Sequence, residues 1–122
     1  MRYLCLIYDD EQARWGWSRE QLATMREEYF SFTDDITKSG HYVGGNALQP
    51  TSAATSVRVR EGKMSATDGP FVETREQLGG YYLIEARDLN DALQVAARIP
   101  GARWGGVEVR PVLDTSMPAK AE

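Results

Sequence analysis

Few side chains in this sequence have the type and spacing that chemistry needs. The densest group is Asp68-Gly69-Pro70-Phe71, followed by Glu73 and Arg75. Asp68 has two readings. As a turn former, its carboxylate accepts from nearby backbone N–H groups in an Asx turn, while Gly69 permits an unusual φ and Pro70 fixes the exit. As a functional group, it stands in a cleft as general base or polar anchor, with Phe71 forming part of an apolar wall. Arg75 could hold a substrate carboxylate in a bidentate pair, and Glu73 and Glu76 share a face if the loop makes a helical turn. The alternative for all three is a solvated surface. His41, the single histidine, could exchange a proton near neutral pH, because an unperturbed imidazole titrates at about 6.5; its blander role is that of a capping or surface residue. Asp68 and His41 are thus the catalytic candidates, and Gly69, Pro70, Phe71, Glu73, Arg75 and Tyr82 the substrate-binding ones. Trp15, Trp17 and Trp104 could line a ligand cavity or cover the edges of the core.

Composition narrows the classes of function. The 14 basic and 18 acidic residues are interspersed and give a formal charge of −4. That leaves no cationic stripe for phosphates, so no nucleic-acid partner is expected. Cys5 is the only cysteine and lies in an apolar run, so one chain can build neither a disulfide nor a cysteine metal site, in keeping with a reducing compartment. A phosphate-binding glycine loop, a Gly-x-Ser-x-Gly elbow and histidines at metal spacing are all missing from the sequence, and Gly44-Gly45 and Gly79-Gly80 lack the spacing of a dinucleotide fingerprint. Neither a nucleotide nor a metal cofactor is expected. The apolar stretch from Arg2 to Tyr8 is too short for a signal peptide, and no run reaches the roughly 18 residues of a membrane span. A cytoplasmic protein without a membrane partner is the expectation.

One domain must position these candidates, since 122 residues can bury more than about 60 % of the surface that the unfolded chain exposes. Arg2 to Tyr8, aromatic and branched, predicts a buried strand that Asp9-Asp10-Glu11 stops with solvated charge. Ser18 with Gln21 predicts a capping box. A long helix follows, with Leu22, Met25, Tyr29, Phe32 and Ile36 as its apolar stripe and Gly40 ending it at positive φ. His41 to Leu48 reads as a strand with a bulge at Gly44-Gly45. Thr55 to Arg60, the turn Glu61-Gly62 and Lys63 to Thr67 read as a hairpin with Val57, Val59 and Met64 on one face. After the loop carrying Asp68, Gly79 to Ala86 predicts a central strand. Asp88 caps a second helix, whose stripe is Leu89, Ala92, Leu93, Ala96 and Ile99 and whose end is Pro100-Gly101. Gly106 to Val112 alternates as a half-buried strand, and the polar stretch Asp114 to Glu122 reads as a loosely ordered tail beyond a domain of residues 1–113.

This order is a ferredoxin-like α+β plan: an antiparallel sheet with two helices on one face and an extra hairpin. Bulky Tyr3, Tyr42, Tyr81 and Tyr82 fall on both sides of the strand alternation, so the second sheet face is expected to meet a second copy.

Asp68-Gly69-Pro70-Phe71, continued through Thr74-Arg75-Glu76-Gln77 to Gly79-Gly80-Tyr81-Tyr82, resembles the signature of the DGPF-domain proteins of the YCII-related superfamily. The opening Arg2 to Tyr8, the stretch Thr55 to Arg60, and the ending Ala97 to Arg103 with Val107 to Val112 extend the resemblance over nearly the whole chain. The resemblance implies a homodimer of the dimeric α/β barrel type, with two sheets face to face around a central cleft. It also implies one of two roles. The first is an enzyme, an isomerase, lyase or hydrolase, acting on a small polar organic compound. The second is a non-catalytic ligand-sensing or accessory module associated with an extracytoplasmic-function sigma factor. Enzyme-like relatives are expected to pair an aspartate with a histidine in the first helix. Here that helix carries Tyr29, Phe30 and Phe32, and His41 lies past it.

Overall fold

The computed structural model describes residues 1–116. Its elements run β1 (Arg2–Asp9), α1 (Glu11–Arg14), α2 (Arg19–Lys38), β2 (Tyr42–Ala47), β3 (Thr55–Arg60), β4 (Lys63–Asp68), β5 (Gln77–Glu85), α3 (Leu89–Ala97) and β6 (Gly106–Pro111), with 3-10 turns at Thr51–Ala53 and Pro100–Arg103. Strict alternation gives β1 its central place: Tyr3, Cys5, Ile7 and Asp9 are buried, while Leu4, Leu6 and Tyr8 are half-buried on the opposite side. It pairs antiparallel with β5 and β6, so that Cys5 lies beside both Tyr82 and Val109. The sheet order is β2-β5-β1-β6, the ferredoxin-like plan expected from the sequence.

Helix α2 begins at the capping box. Ser18 Oγ accepts from Gln21 N–H at 3.1 Å, and Gln21 Oε1 accepts from Ser18 N–H at 2.8 Å, which satisfies two backbone donors that the helix cannot. It stops at Ser39 and Gly40, the glycine at φ 82°, where a Cβ would be strained. Phe32 and Ile36 of α2 and Ala92, Val95 and Ala96 of α3 pack in one cluster with Tyr3, Cys5, Ile7 and Ile84, so both helices cover the same sheet face. Ile36, fully buried, contributes about 1.5–3 kcal/mol through that burial alone. Met25 and Tyr29 of the same stripe are half-buried because they overhang a cleft instead of the core.

The charges Asp9 to Glu11, at the end of β1 and just past it, are not the solvated stop that the sequence predicts. Asp9 and Glu11 are 6 % and 7 % exposed. Asp10 caps α1, accepting from Gln12 N–H at 3.0 Å and Ala13 N–H at 3.4 Å. Glu11 turns inward to accept from the N–H and hydroxyl of Thr51 at 2.9 and 2.8 Å, and its own N–H donates to Gln77 Oε1 at 3.0 Å. Acids tolerate this burial because each has partners. The stripe of α3 also differs. Ala92, Val95 and Ala96 are buried, continued by Ile99, whereas Leu89 and Leu93 are 49 % and 45 % exposed. Helical spacing fits either stripe, and the rotation that buries the smaller residues also brings Asp91 onto His41.

The hairpin turns tightly at Glu61 and Gly62, both at positive φ, and β3 and β4 form a sheet of their own. Val59 faces Met64 across it, and the Val57, Val59 and Met64 face is exposed. The β2 ladder shifts between Tyr42 and Gly44, as the glycine pair suggests. Asp114 accepts from Ser116 N–H at 3.0 Å; the remainder of the expected loose tail, residues 117–122, lies outside the described residues.

Candidate functional site

Between α2 and the β2–β5 side of the sheet lies a cleft of about 440 Å³, a size suited to small ligands. Glycines make the room, since Gly45, Gly79 and Gly80 line it. A Cβ on Gly45 would come 2.8 Å from the Tyr81 carbonyl oxygen, and one on Gly80 would come 3.0 Å from that of Asn46, so β2 and β5 approach too closely there for a larger residue. Tyr29 and Phe30 of α2, Tyr42 of β2, Tyr82 of β5 and Trp104 before β6 stand around this floor. Trp17 braces Trp104 edge to face, with ring centroids 5.1 Å apart.

The polar end of the cleft continues the inward row of β1. Asp9 follows Tyr3, Cys5 and Ile7 in phase and therefore points to the helix side, where an unpaired carboxylate would be costly. The single turn of α1 supplies the partner. Arg14 grips both carboxylate oxygens, Nε on Oδ2 and Nη2 on Oδ1, the latter at 3.2 Å, a fork that satisfies charge and geometry together. Tyr29 Oη accepts from Gly101 N–H at 3.1 Å and keeps its own proton to donate. Burial, opposed by that hydrogen bond and reinforced by the charge of Asp9, pushes the Tyr29 pKa up to about 12, so it is a phenol at neutral pH. Burial likewise raises the pKa of Tyr82, whose hydroxyl shares a 2.7 Å hydrogen bond with that of Thr33. On the opposite sheet face, Asn46 Nδ2 donates to Tyr81 Oη at 2.9 Å. Arg26 of α2 is exposed at the cleft and makes no ion pair among the described residues. Nor do three of the described His, Cys, Asp and Glu side chains converge as metal ligands.

Of the residues singled out from the sequence, Tyr82 and Trp104 line this cleft; the catalytic candidates and the other substrate-binding ones do not. Asp68 ends β4 opposite Thr55, exposed. Its carboxylate accepts no hydrogen bond among the described residues, so the expected Asx turn does not form. Gly69 shapes the corner instead: it sits at φ 96°, donates its N–H to the Ala54 carbonyl at 2.7 Å, and accepts from Ser56 Oγ at 2.7 Å. Pro70, Phe71, Glu73 and Arg75 follow on the surface, with the Arg58 guanidinium 4.6 Å from the Phe71 ring. The segment bends without a helical turn, so Glu73 and Glu76 share no helix face.

His41 lies past the C-terminal end of α2, with Nε2 3.1 and 3.2 Å from the Asp91 carboxylate oxygens and Nδ1 2.7 Å from Ser39 Oγ. The Arg87 N–H donates to Asp91 at 3.0 Å. That bond, with those to His41 and the Arg87 side chain, outweighs desolvation and holds the Asp91 carboxyl down at about 2. Ser39 Oγ also donates to the Ile36 carbonyl at 3.2 Å, so this Ser-His-Asp chain ties the end of α2 to the start of α3. Sequence reasoning misses Asp9, Arg14 and Tyr29. Phase puts an acid at the next inward position of a core strand and a tyrosine on a helix stripe, but spacing alone separates neither from surface charge or core packing.

Fold and cleft together define a ferredoxin-like α+β domain with a ligand-sized space under its long helix. The YCII-related domain matches residues 1–116, and an uncharacterised protein of Rhizobium meliloti (strain 1021) is 35 % identical over 114 residues, covering 92 % of each chain. The chain belongs to the YCII-related family. No helix among the described residues is long and apolar enough to cross a membrane.

Proposed function

We propose that the protein binds a small polar organic compound in the cleft under α2 and works as a homodimer. One observation carries the reading: a cleft of about 440 Å³ has the buried, bidentate Asp9–Arg14 pair at one end and the Tyr29 and Tyr82 phenols on its walls. A gap left by loose packing has no reason to gather such groups, whereas a binding site needs them. The chemistry within reach is proton transfer. Asp9, oriented by Arg14, accepts, and Tyr29 donates, as an isomerase, lyase or hydrolase on a small compound requires. A built cleft favours this reading over an accessory module beside a sigma factor.

The dimer rests on the sheet face turned away from the helices, where Leu4 and Leu6 of β1 lie beside Leu83 and Tyr81 of β5. A second copy packed sheet to sheet would cover that row. Asp68 and His41 are secondary acid–base candidates. Asp68, whose carboxylate has no hydrogen-bond partner among the described residues, could bring it to a neighbouring copy, with Gly69, Pro70, Phe71, Glu73 and Arg75 following it in the chain, and His41 would act through its Asp91 pair.

Gly79→Ala tests the cleft. The added Cβ would lie 3.5 Å from Asp9 Oδ1 and 4.0 Å from Arg14 Nη2, ordinary contacts, so the fold is kept while a methyl group enters beside the ion pair. In a thermal-shift screen, compounds that raise the wild-type melting temperature should lose that effect on Gly79→Ala and keep it on Asp68→Asn. The opposite pattern would move the site to the Asp68 loop.

A further inference from the structure

We infer that the ligand of this cleft is a small carboxylate with a planar, unsaturated or aromatic body. The inference rests on the cleft being the binding site proposed above and names what that site selects. Two guanidinium groups, Arg14 and Arg26, and one carboxylate, Asp9, line it, an excess of one positive charge in a chain whose formal charge is −4. Asp9 is taken by Nε and Nη2 of Arg14. Arg26, exposed on α2 and without an ion-pair partner among the described residues, is the cation left to receive an anion. Its planar fork matches one carboxylate in two parallel hydrogen bonds.

The neutral groups lean the same way. Tyr29 Oη is hydrogen-bonded as an acceptor from Gly101. This phenol therefore retains a proton to donate, and a ligand that carries an acceptor satisfies it. The rings of Tyr29, Phe30, Tyr42, Tyr82 and Trp104 give a planar body surfaces to lie against. Aromatic walls alone would also suit an organic cation. Arg26, the positive charge left once Arg14 pairs with Asp9, disfavours that choice by like-charge repulsion.

Three probes of nearly one shape and three charges separate the possibilities: benzoate, benzamide and benzamidinium. They are titrated into the full-length protein while backbone amide signals of Asn46, Gly79 and Gly80 are followed by nuclear magnetic resonance. Benzoate should shift these signals with a dissociation constant on the order of a millimolar, the range for a ligand of so few atoms. It should bind at least about tenfold more tightly than benzamide, and benzamidinium should not bind. Arg26→Gln, a change at an exposed position, should bring benzoate to the level of benzamide and leave benzamide unchanged. Equal binding of all three probes, or preference for benzamidinium, overturns the anion inference while the cleft stands as a binding site. Undiminished benzoate binding by Arg26→Gln overturns it too. Failure of every probe to move those amides overturns the cleft reading itself.

Discussion

Arg14 decides whether Asp9 can stay where β1 puts it. Removing one partner of a buried pair leaves an uncompensated charge, which costs far more than a surface contact. Arg14→Ala should therefore lower stability by about 2–4 kcal/mol in urea unfolding, and a loss below about 0.5 kcal/mol would show that Asp9 does not depend on it. Asp91 makes a separate prediction through pH. Its carboxyl is held at about 2, against a usual value of 3.8. A depressed folded-state value means that the ionised form stabilises the fold: the contribution is complete above about pH 4 and disappears as pH falls toward 2. Unfolding measured across that range should show a fall in stability that Asp91→Asn lacks, and identical pH profiles would refute the assignment. At this level the sequence shows candidates without company. His41 and Asp91 stand fifty positions apart, and nothing in the spacing of either announces the other.

Helix α2 is the element most fully legible in the sequence, because its signals are local. Ser18, Gln21, the apolar stripe and Gly40 all act within one or two turns of themselves, and the structure shows the box and the terminal glycine as read. Ser18→Ala should cost about 1 kcal/mol in denaturant unfolding, since it strands a backbone donor at the first turn; an unchanged midpoint would mean that water replaces the cap. Helix α3 marks the limit of the same reasoning. Leu89 and Leu93 satisfy the helical period as well as Ala92, Val95 and Ala96 do, yet the smaller residues face the core. Rotation of a short helix is a tertiary choice, and the one taken here packs the small residues on the sheet and brings Asp91 to His41. Strand β1 shows both sides of the matter. Its alternation is plain, but its end is not, because Asp9 keeps the inward phase only by virtue of Arg14 five residues later.

The whole molecule leaves one sheet face half-buried, and a second copy is the occupant proposed for it. Light scattering on gel-filtered protein should give twice the 13.7 kDa of one chain. Leu6→Asp should return it to one chain, because that residue lies beside Tyr81 and Glu108 on the face away from the helices. A wild-type mass of one chain at high concentration would rule out the sheet-to-sheet dimer, and the cleft, built within a single chain, would stand without it.

The order of the six strands and two longer helices, the capping box, the glycine-ended helix, the hairpin and the ferredoxin-like plan follow from the chain alone, because each rests on periodicity or on backbone preferences that neighbouring residues satisfy; the short helix α1 does not. The cleft does not. Its floor is glycine from two strands that meet only in the sheet, its acid comes from the end of a third, and its tyrosine comes from a helix that crosses above them. Asp9, Arg14 and Tyr29 carry no mark in sequence spacing that separates them from surface charge or core packing. Folding supplies that mark by burying a carboxylate, forcing it to find a cation, and leaving open the space beside them both.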